Sequence, residues 1–164
     1  AKGKRVLNLF CYTGSFSVYA AAGGADLLTS VDLSHTYINW TKRNLQYNKL
    51  YSADKHMLVQ DDVMEWLKAA PKDYFDLVIV DPPTFSNSKR MQDVFDVQRD
   101  HVALLKLVLK TTKVEGTIIF SNNFKNFVLD EAAIPAFKIK DITKFTTPFD
   151  FVGKLHRHCF EITK

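Results

Sequence analysis

The chain has 164 residues, the size of one domain with a single hydrophobic core. Hydrophobic residues make up 46% of it and charged residues 24%, which excludes a disordered tail, a collagen-like fibre and a coiled-coil rod. Its two cysteines, Cys11 and Cys159, are too few for a disulfide framework, so we expect a reducing, cytoplasmic compartment. The chain opens without an initiator methionine and soon enters an apolar strand. We therefore expect residues 1–164 to be one domain of a longer protein.

The positive charge is unevenly distributed along the chain. There are 22 basic and 18 acidic residues, which gives a net charge of +4. Residues 1–85 hold nine of each sign, and the rest of the chain holds thirteen basic and nine acidic residues. A polyanionic partner would explain this surplus, and an ordinary scatter of surface lysines would explain it equally well.

Short apolar runs alternate with segments of helical periodicity. Strands are predicted at 5–11, 26–31, 56–60, 75–80 and 116–120, and helices at 15–22, 34–48, 63–69 and 94–113. A short helix at 130–136 and strands at 137–145 and 155–162 follow. The βα alternation predicts a parallel sheet with helices on both faces, and the last two strands predict an antiparallel hairpin at its edge. The predicted fold is a doubly wound, Rossmann-like α/β sandwich.

Carboxylates stand at the ends of three predicted strands: Asp32 after the second, Asp61 and Asp62 after the third, and Asp81 after the fourth. Aspartate favours strand ends and helix caps for purely structural reasons, and this applies most directly to Asp61 and Asp62. In open α/β sheets, however, ligands bind beyond the carboxyl ends of the strands. The ordered set therefore indicates a ligand site at this edge.

The turn after the first predicted strand, FCYTGS at 10–15, indicates which kind of nucleotide-like ligand this edge could bind. It has one glycine, lacks G-x-G-x-x-G, and is not followed by a P-loop lysine, which argues against a pyrophosphate site and a nicotinamide-dependent reductase. It can still hold an amino-acid group against backbone amides. Asp32 can accept hydrogen bonds from a ribose diol, and Asp62 can accept one from an exocyclic amine. This combination predicts a pocket for S-adenosylmethionine.

The sequence Asp81-Pro82-Pro83-Thr84-Phe85 follows the most apolar predicted strand. Two prolines fix the backbone and remove two N–H donors, which predicts a rigid rim. Beyond it, the ring of Phe85 can offer a flat face to a nucleobase. The alternative is an ordinary turn with Phe85 in the hydrophobic core.

Three motifs stand out along the whole sequence: VLNLFCYTGS at 6–15, VDLS at 31–34 and DPPTFSNSKRM at 81–91. Together they resemble class I methyltransferases that act on ribosomal RNA. The resemblance continues through 95–101 and 119–123 and covers nearly the whole chain; its specific part is 81–91. Within this class, the sequence looks like the C-terminal, guanine-N7 half of the bacterial bifunctional methyltransferases K/L of the large ribosomal subunit.

The resemblance implies S-adenosylmethionine as methyl donor, large-subunit ribosomal RNA as partner, and further RNA-binding or methyltransferase domains in the parent chain. The implied cofactor residues are Asn8, Phe10, Tyr12, Thr13, Gly14, Ser15, Asp32, Leu33, Asp62 and Val63. The implied residues of the methyl-transfer site are Asp81, Pro82, Pro83, Phe85 and Asn122. Many members of the wider superfamily carry an acid at the position of Asn8 and a glycine at that of Tyr12.

The chemistry of the acceptor atom distinguishes the possible reactions. Guanine N7 has an in-plane lone pair and no proton, so it needs alignment and burial rather than a base or a covalent nucleophile. The sequence offers groups that could position the base, namely Asp81, Phe85, Asn122 and Asn123. Methylation of cytosine C5 needs an attacking cysteine. Related methyltransferases of that type have a cysteine after the fifth strand, where this chain has Ser121-Asn122-Asn123. Methylation of an exocyclic amine and a catalytically silent RNA-binding module remain alternatives.

Four basic residues are candidate phosphate contacts: Lys89, Arg90, Arg99 and Lys125. Solvated surface charge is the alternative for each of them. His156 and His158 alternate onto one face of a predicted edge strand but lack further ligands, so we expect no metal site.

Overall fold

The computed structural model describes residues 1–86, 95–151 and 153–164. The strands are β1 (Arg5–Leu9), β2 (Leu27–Asp32), β3 (His56–Gln60), β4 (Phe75–Val80), β5 (Phe85–Ser86), β6 (Phe95–Asp96), β7 (Thr112–Asn122), β8 (Lys138–Asp141) and β9 (His158–Thr163). The helices are α1 (Ser15–Ala22), α2 (His35–Tyr47), α3 (Val63–Ala69), α4 (Val97–Thr111) and α5 (Thr143–Thr146), with 3₁₀ turns at Glu131–Ala133 and Phe149–Phe151. Within these ranges, no helix combines the length and the hydropathy that a membrane span requires.

Seven strands form one sheet in the order β3-β2-β1-β4-β7-β9-β8. The first five of these are parallel, and β9 runs antiparallel to both β7 and β8. The predicted doubly wound sandwich with an antiparallel C-terminal pair is confirmed. The strand order reverses between β1 and β4. The connections that leave these two neighbouring strands therefore run in opposite directions, which opens a crevice at the carboxyl ends of the strands.

Two hydrophobic clusters hold the helices against the sheet. Leu7 and Leu9 of β1 pack in a cluster with Leu67 of α3 and Leu104 of α4, and all four are fully buried. Val6 of the same strand packs in the other cluster, which includes residues of α1 and α2. Because successive side chains of a strand point to opposite faces, the two helix pairs cover opposite faces of the sheet.

The boundary between α4 and β7 differs from the prediction of a helix at 94–113 and a strand at 116–120. Position 94 lies outside the described residues, and α4 begins at Val97 because the side chain of Asp96 accepts two N–H groups of the first turn, at 2.8 and 3.0 Å. Thr112 ends the helix in an extended conformation and pairs with Phe75 of β4. The strand β7 therefore starts without a connecting loop and is 11 residues long.

The C-terminal part also contains shorter elements than the sequence predicts. The predicted helix at 130–136 is a single 3₁₀ turn, and the predicted strand at 137–145 ends at Asp141. The side chain of Asp141 accepts the N–H of Thr143 at 2.8 Å, which turns the chain into α5. An additional two-stranded ladder, β5 with β6, pairs Phe85 with Asp96 and was not predicted.

Candidate functional site

The turn between β1 and α1 has a left-handed backbone at three positions: Phe10 (φ 55°), Tyr12 (φ 49°) and Gly14 (φ 79°). A side chain at positive φ costs about 1–2 kcal/mol per residue, so contacts elsewhere must hold Phe10 and Tyr12 in place. Gly14 is constrained further, because a Cβ atom there would lie 2.5–2.8 Å from the side chain of Thr41. The turn thus depends on close contact with α2.

Hydrogen bonds from two neighbouring elements fix this turn. From α2, the amide of Asn44 donates to the carbonyl of Thr13 at 2.8 Å, and the hydroxyl of Thr41 donates to that of Tyr12 at 3.2 Å. From the end of β2, Asp32 Oδ2 accepts the N–H of Tyr12 at 2.9 Å. The ring of Tyr12 also packs edge-on against Tyr37 of α2. The turn is therefore held in position by Asp32 of β2 and by residues of α2.

Asp32 links the two loops at this edge of the sheet. Its Oδ2 accepts the N–H of Tyr12, and its Oδ1 accepts the N–H of Ser34, both at 2.9 Å. Burial raises the pKa of Asp32, and these two hydrogen bonds oppose that effect. The side chain is only half-buried, and a carboxylate has about four acceptor directions, so it can still accept hydrogen bonds from a ligand.

Asn8 lies below the turn in a buried polar network. Its Nδ2 donates to the hydroxyl of Ser17 at 2.9 Å, and Ser17 shares a 2.8 Å hydrogen bond with Ser30. This network joins β1, α1 and β2, and all three residues are fully buried. Within the described part of the chain, Asn8 Oδ1 has no hydrogen-bond donor. The site therefore has an unused acceptor beneath its turn.

Asp62 lies after β3 and caps α3. Its Oδ1 accepts the N–H groups of Met64 at 2.8 Å and Glu65 at 3.1 Å. Asp62 therefore has the helix-capping role that its position in the sequence allowed as the structural alternative. The next residue, Val63, is buried in the core, and Leu33 after β2 is half-buried. The cap occupies one carboxylate oxygen of Asp62 and leaves the other for a second contact.

Asp81 directly follows β4, at the opposite side of the crevice. Its Oδ1 accepts the hydroxyl hydrogen of Ser121, at the end of β7, at 2.7 Å. Burial raises the pKa of Asp81, while the Ser121 hydrogen bond and the positive charge of Arg157 act against that effect. Pro82 is buried and Pro83 is exposed, so one proline anchors the rim and the other faces solvent.

The aromatic and amide groups near Asp81 differ in accessibility. Phe85 is 56% exposed and contacts the ring of Phe124, so the alternative that placed it in the hydrophobic core is wrong. Asn122 is fully buried; its Oδ1 accepts the N–H of Phe124, and its Nδ2 has no hydrogen-bond partner among the described residues. Asn123 is exposed. The structure thus brings a half-buried carboxylate and an accessible ring to one end of the sheet.

The registers of the strands show that residues predicted for the cofactor and residues predicted for the methyl acceptor lie along one edge of the sheet. Leu9 of β1 pairs with Val31 on one side and with Val80 on the other, and Val80 pairs with Phe120 of β7. The residues that follow these four are the left-handed turn, Asp32, Asp81 and Ser121. The cofactor and acceptor groups expected from the sequence therefore lie side by side.

The sequence profile of the S-adenosylmethionine-dependent methyltransferases matches residues 1–158. The chain belongs to this family. S-adenosylmethionine is accordingly the methyl donor, and the residues around the crevice fit it: a half-buried carboxylate with free acceptor directions, and an unused amide oxygen beneath the turn.

Two relatives of this methyltransferase carry names that specify a substrate. One, from Stutzerimonas stutzeri, is called ribosomal RNA large subunit methyltransferase K/L and is 54% identical over 151 residues, which are 92% of this chain and 20% of the relative. The other, from Neisseria meningitidis, is called ribosomal RNA large subunit methyltransferase K and is 47% identical over 164 residues, which are 99% of this chain and 46% of the relative. The methyltransferase thus spans less than half the length of either relative.

Solved structures of methyltransferases share the fold over the full length of the chain. A crystal structure of a methyltransferase in complex with S-adenosylhomocysteine superposes with a TM-score of 0.79 at 30% identity, covering 100% of this chain and 46% of that one. A methyltransferase from Streptococcus mutans superposes with a TM-score of 0.77 at 30% identity, covering 100% and 45%. The resemblance inferred from the sequence is confirmed at the level of the family and the fold.

Neither cysteine of this methyltransferase is prepared for nucleophilic attack. Burial raises the pKa of the Cys11 thiol to about 12, and burial also raises the pKa of Cys159. Cys11 lies within 3.6 Å of the hydroxyl of Thr41, and Cys159 is buried in β9. Since the thiolate is the nucleophilic form, both side chains act as packing groups at neutral pH.

Two of the four basic residues predicted to contact phosphate belong to the described part of the chain. Lys89 and Arg90 lie outside the described residues. Arg99 forms a 2.7 Å ion pair with Asp100 in the first turn of α4, and Lys125 is exposed after β7. No sequence motif marks Arg157, whose charge acts on Asp81. Arg157 lies near Asp81 because β9 pairs with β7, and no local sequence pattern predicts that pairing.

Proposed function

We propose that this methyltransferase transfers a methyl group to N7 of a guanine in large-subunit ribosomal RNA. The similarity to the relatives named K/L and K, which extends over 92% and 99% of the chain, carries the proposal. We also propose that residues 1–164 form one methyltransferase domain of a longer protein with further RNA-binding or methyltransferase domains. The shares of 20% and 46% that the chain covers in these relatives support this organisation.

In this proposal, the turn and the ends of β2 and β3 hold the cofactor. Asp32 accepts hydrogen bonds from the ribose diol with the acceptor directions that Tyr12 and Ser34 leave free, and Asp62 accepts one from the adenine amine. The adjacent apolar groups are Leu33 and Val63. The methionine end lies against Asn8, Phe10, Tyr12, Thr13, Gly14 and Ser15. Bound S-adenosylmethionine supplies a methyl group on a positively charged sulfur.

The residues after β4 and β7 orient the guanine. In this proposal, Asp81 accepts hydrogen bonds from the N1–H and the exocyclic amine of guanine, which leaves N7, on the far side of the base, free to face the methyl group. Phe85 stacks on the base from the exposed side of the rim. Pro82, Pro83 and the buried Asn122 keep this wall rigid. The rate enhancement comes from alignment and exclusion of water, which together supply several orders of magnitude.

The absence of a reactive thiolate supports direct attack by the base. Cytosine-C5 methylation needs a cysteine that adds to the ring, and burial keeps both cysteines of the described residues protonated. Guanine N7 needs neither a thiolate nor a base, because its lone pair lies in the plane of the ring and carries no proton.

The decisive experiment identifies the methylated atom. The chain is incubated with methyl-labelled S-adenosylmethionine and large-subunit ribosomal RNA from a strain that lacks this modification, and the digested nucleosides are separated by mass spectrometry. We expect 7-methylguanosine, and no product when 7-deazaguanine replaces the target guanine. Label in an exocyclic amine or in 5-methylcytosine would contradict N7 chemistry, and RNA binding without any label would indicate the silent binding module.

A further inference from the structure

The connection between β8 and β9 lies at the same edge of the sheet as the proposed acceptor site. His158, the first residue of β9, pairs with Asn122 at the end of β7, and Asp141 at the end of β8 pairs with Phe160. Both ends of the connection therefore stand at the edge where β4 and β7 present Asp81 and Ser121. We call residues 142–151 and 153–157 the β8–β9 connection.

The β8–β9 connection exposes aromatic rings that do not pack in the hydrophobic core. Phe145 is 91% exposed and Phe149 is 92% exposed, and Phe151 in the following 3₁₀ turn is 47% exposed. Exposing a phenylalanine to water forgoes the stabilisation that burial of its ring would contribute. Grouped exposed rings at the edge of a site indicate contact with another molecule.

The charge of the β8–β9 connection favours an anion as that molecule. Lys144, Lys154 and His156 are exposed, and Asp150 is the one acidic residue between positions 142 and 157. Neither lysine forms an ion pair with a carboxylate of the described residues. Rings interspersed with lysines are the combination with which proteins bind single-stranded nucleic acid.

Arg157 connects this surface with the acceptor site. Its Nη1 donates to the carbonyl of Thr146 at 2.8 Å and to the hydroxyl of Thr146 at 3.1 Å, which fastens the end of the connection to α5. The same guanidinium is close enough for its charge to influence the carboxyl group of Asp81. The exposed rings are therefore part of a segment that is attached beside the acceptor carboxylate.

We propose that the β8–β9 connection binds the single-stranded RNA that flanks the target nucleotide, with Phe145 and Phe149 stacking on bases and Lys144 and Lys154 contacting phosphates. This inference rests on the proposed RNA substrate and specifies where the strand leaves the acceptor site. Stacking tolerates any base, so the surface contributes affinity and positioning rather than sequence selection.

The test compares Phe145→Ala/Phe149→Ala with Phe137→Ala. Phe137 is 86% exposed, and its N–H pairs with Thr163, at the opposite end of the β8–β9 ladder, so it is a matched control for the loss of an exposed ring. Binding of a single-stranded fragment of large-subunit ribosomal RNA is measured by fluorescence anisotropy, and methyl transfer is measured as KM and kcat. Thermal unfolding and S-adenosylmethionine affinity serve as checks of the fold.

We expect the double variant Phe145→Ala/Phe149→Ala to bind RNA about 30-fold or more weakly than the wild type. This factor corresponds to the loss of two stacking contacts, each with a free energy at the low end of its usual range. KM for RNA should rise, while cofactor affinity, thermal midpoint and the salt dependence of binding stay as in the wild type. Lys144→Ala/Lys154→Ala should instead flatten the slope of log K against log salt by roughly 0.7 per lost contact. Phe137→Ala should bind RNA like the wild type.

Three results distinguish the inference from the function on which it rests. If the wild type methylates RNA and the double variant binds RNA equally well, the β8–β9 connection is not an RNA surface, and the proposed function stands. If the double variant keeps its RNA affinity but loses self-association in sedimentation, the rings belong to a protein contact and the inference is wrong. If the wild type neither binds nor methylates ribosomal RNA, the proposed function itself has failed.

Discussion

Replacing Asp32 by alanine separates two roles of one carboxylate. In the structure it accepts the N–H groups of Tyr12 and Ser34, each at 2.9 Å, and in the proposed function it also binds the ribose diol. A hydrogen bond to a charged group contributes about 1.5–3 kcal/mol when it is shielded from water. Water can replace the carboxylate at the exposed Tyr12 amide, so we expect Asp32→Ala to lower the free energy of unfolding by about 1–3 kcal/mol in total.

The contribution to cofactor binding is measured separately. Losing the ribose contact should weaken S-adenosylmethionine binding by about 1–3 kcal/mol, or about 5- to 150-fold. Calorimetry with S-adenosylhomocysteine and with its 2′-deoxy and 3′-deoxy analogues isolates the hydroxyl contacts, because each analogue lacks one possible donor. The wild type should prefer the ribose form, and Asp32→Ala should bind all three ligands with nearly equal affinity at a temperature where it is fully folded.

The control is Asp62→Ala, which removes the cap of α3. Losing an N-cap costs about 1 kcal/mol of stability, and this variant should keep the full preference for ribose over deoxyribose. If Asp32→Ala discriminates between ribose and deoxyribose as strongly as the wild type does, the carboxylate only holds the turn. The assignment of Asp32 to the ribose would then be refuted.

Two further predictions concern the acceptor side. Cys11→Ser/Cys159→Ser should retain methyl transfer to RNA in a label-incorporation assay, because burial already keeps both thiols protonated; loss of transfer with cofactor binding intact would revive a covalent mechanism. Because burial raises the pKa of Asp81, a step that needs its carboxylate should lose rate as the pH falls through a pKa above that of an ordinary aspartate. Ser121→Ala removes a hydrogen bond that lowers this pKa, so the acid limb of kcat/KM against pH should move to higher pH; an unmoved limb would mean that another group titrates.

The sequence predicts the main sheet well because its signals are local and mutually consistent. Each parallel strand is an apolar run that ends in a polar turn, and this placed Asp32 and Asp81 correctly at the strand ends. The cap function of Asp62 could also be anticipated, since an aspartate before a helix has a known local use. These features depend on residues that are neighbours in the chain.

Features that depend on tertiary pairing were missed or misjudged. Ile139, Ile142 and Phe145 are spaced three apart, which suits a helix rather than a strand, and the strand predicted at 137–145 in fact ends at Asp141, whose side chain turns the chain into α5. The ladder between Phe85 and Asp96 spans a segment with no turn signal that fixes its register. Arg157 reaches the acceptor side because β9 lies next to β7, a neighbour 36 positions away at their nearest ends in sequence.

The position of β9 has a consequence for how the chain folds during synthesis. This strand is made after β8, yet it lies between β7 and β8 and supplies the ladder partners of both. Until residues 158–163 have emerged, β7 is an open edge and β8 has no strand to pair with. An open edge invites pairing with other chains. Between the synthesis of β7 and that of β9, the chain therefore carries an open edge that favours aggregation, and a nascent-chain binding factor that covered β7 would protect it at that stage.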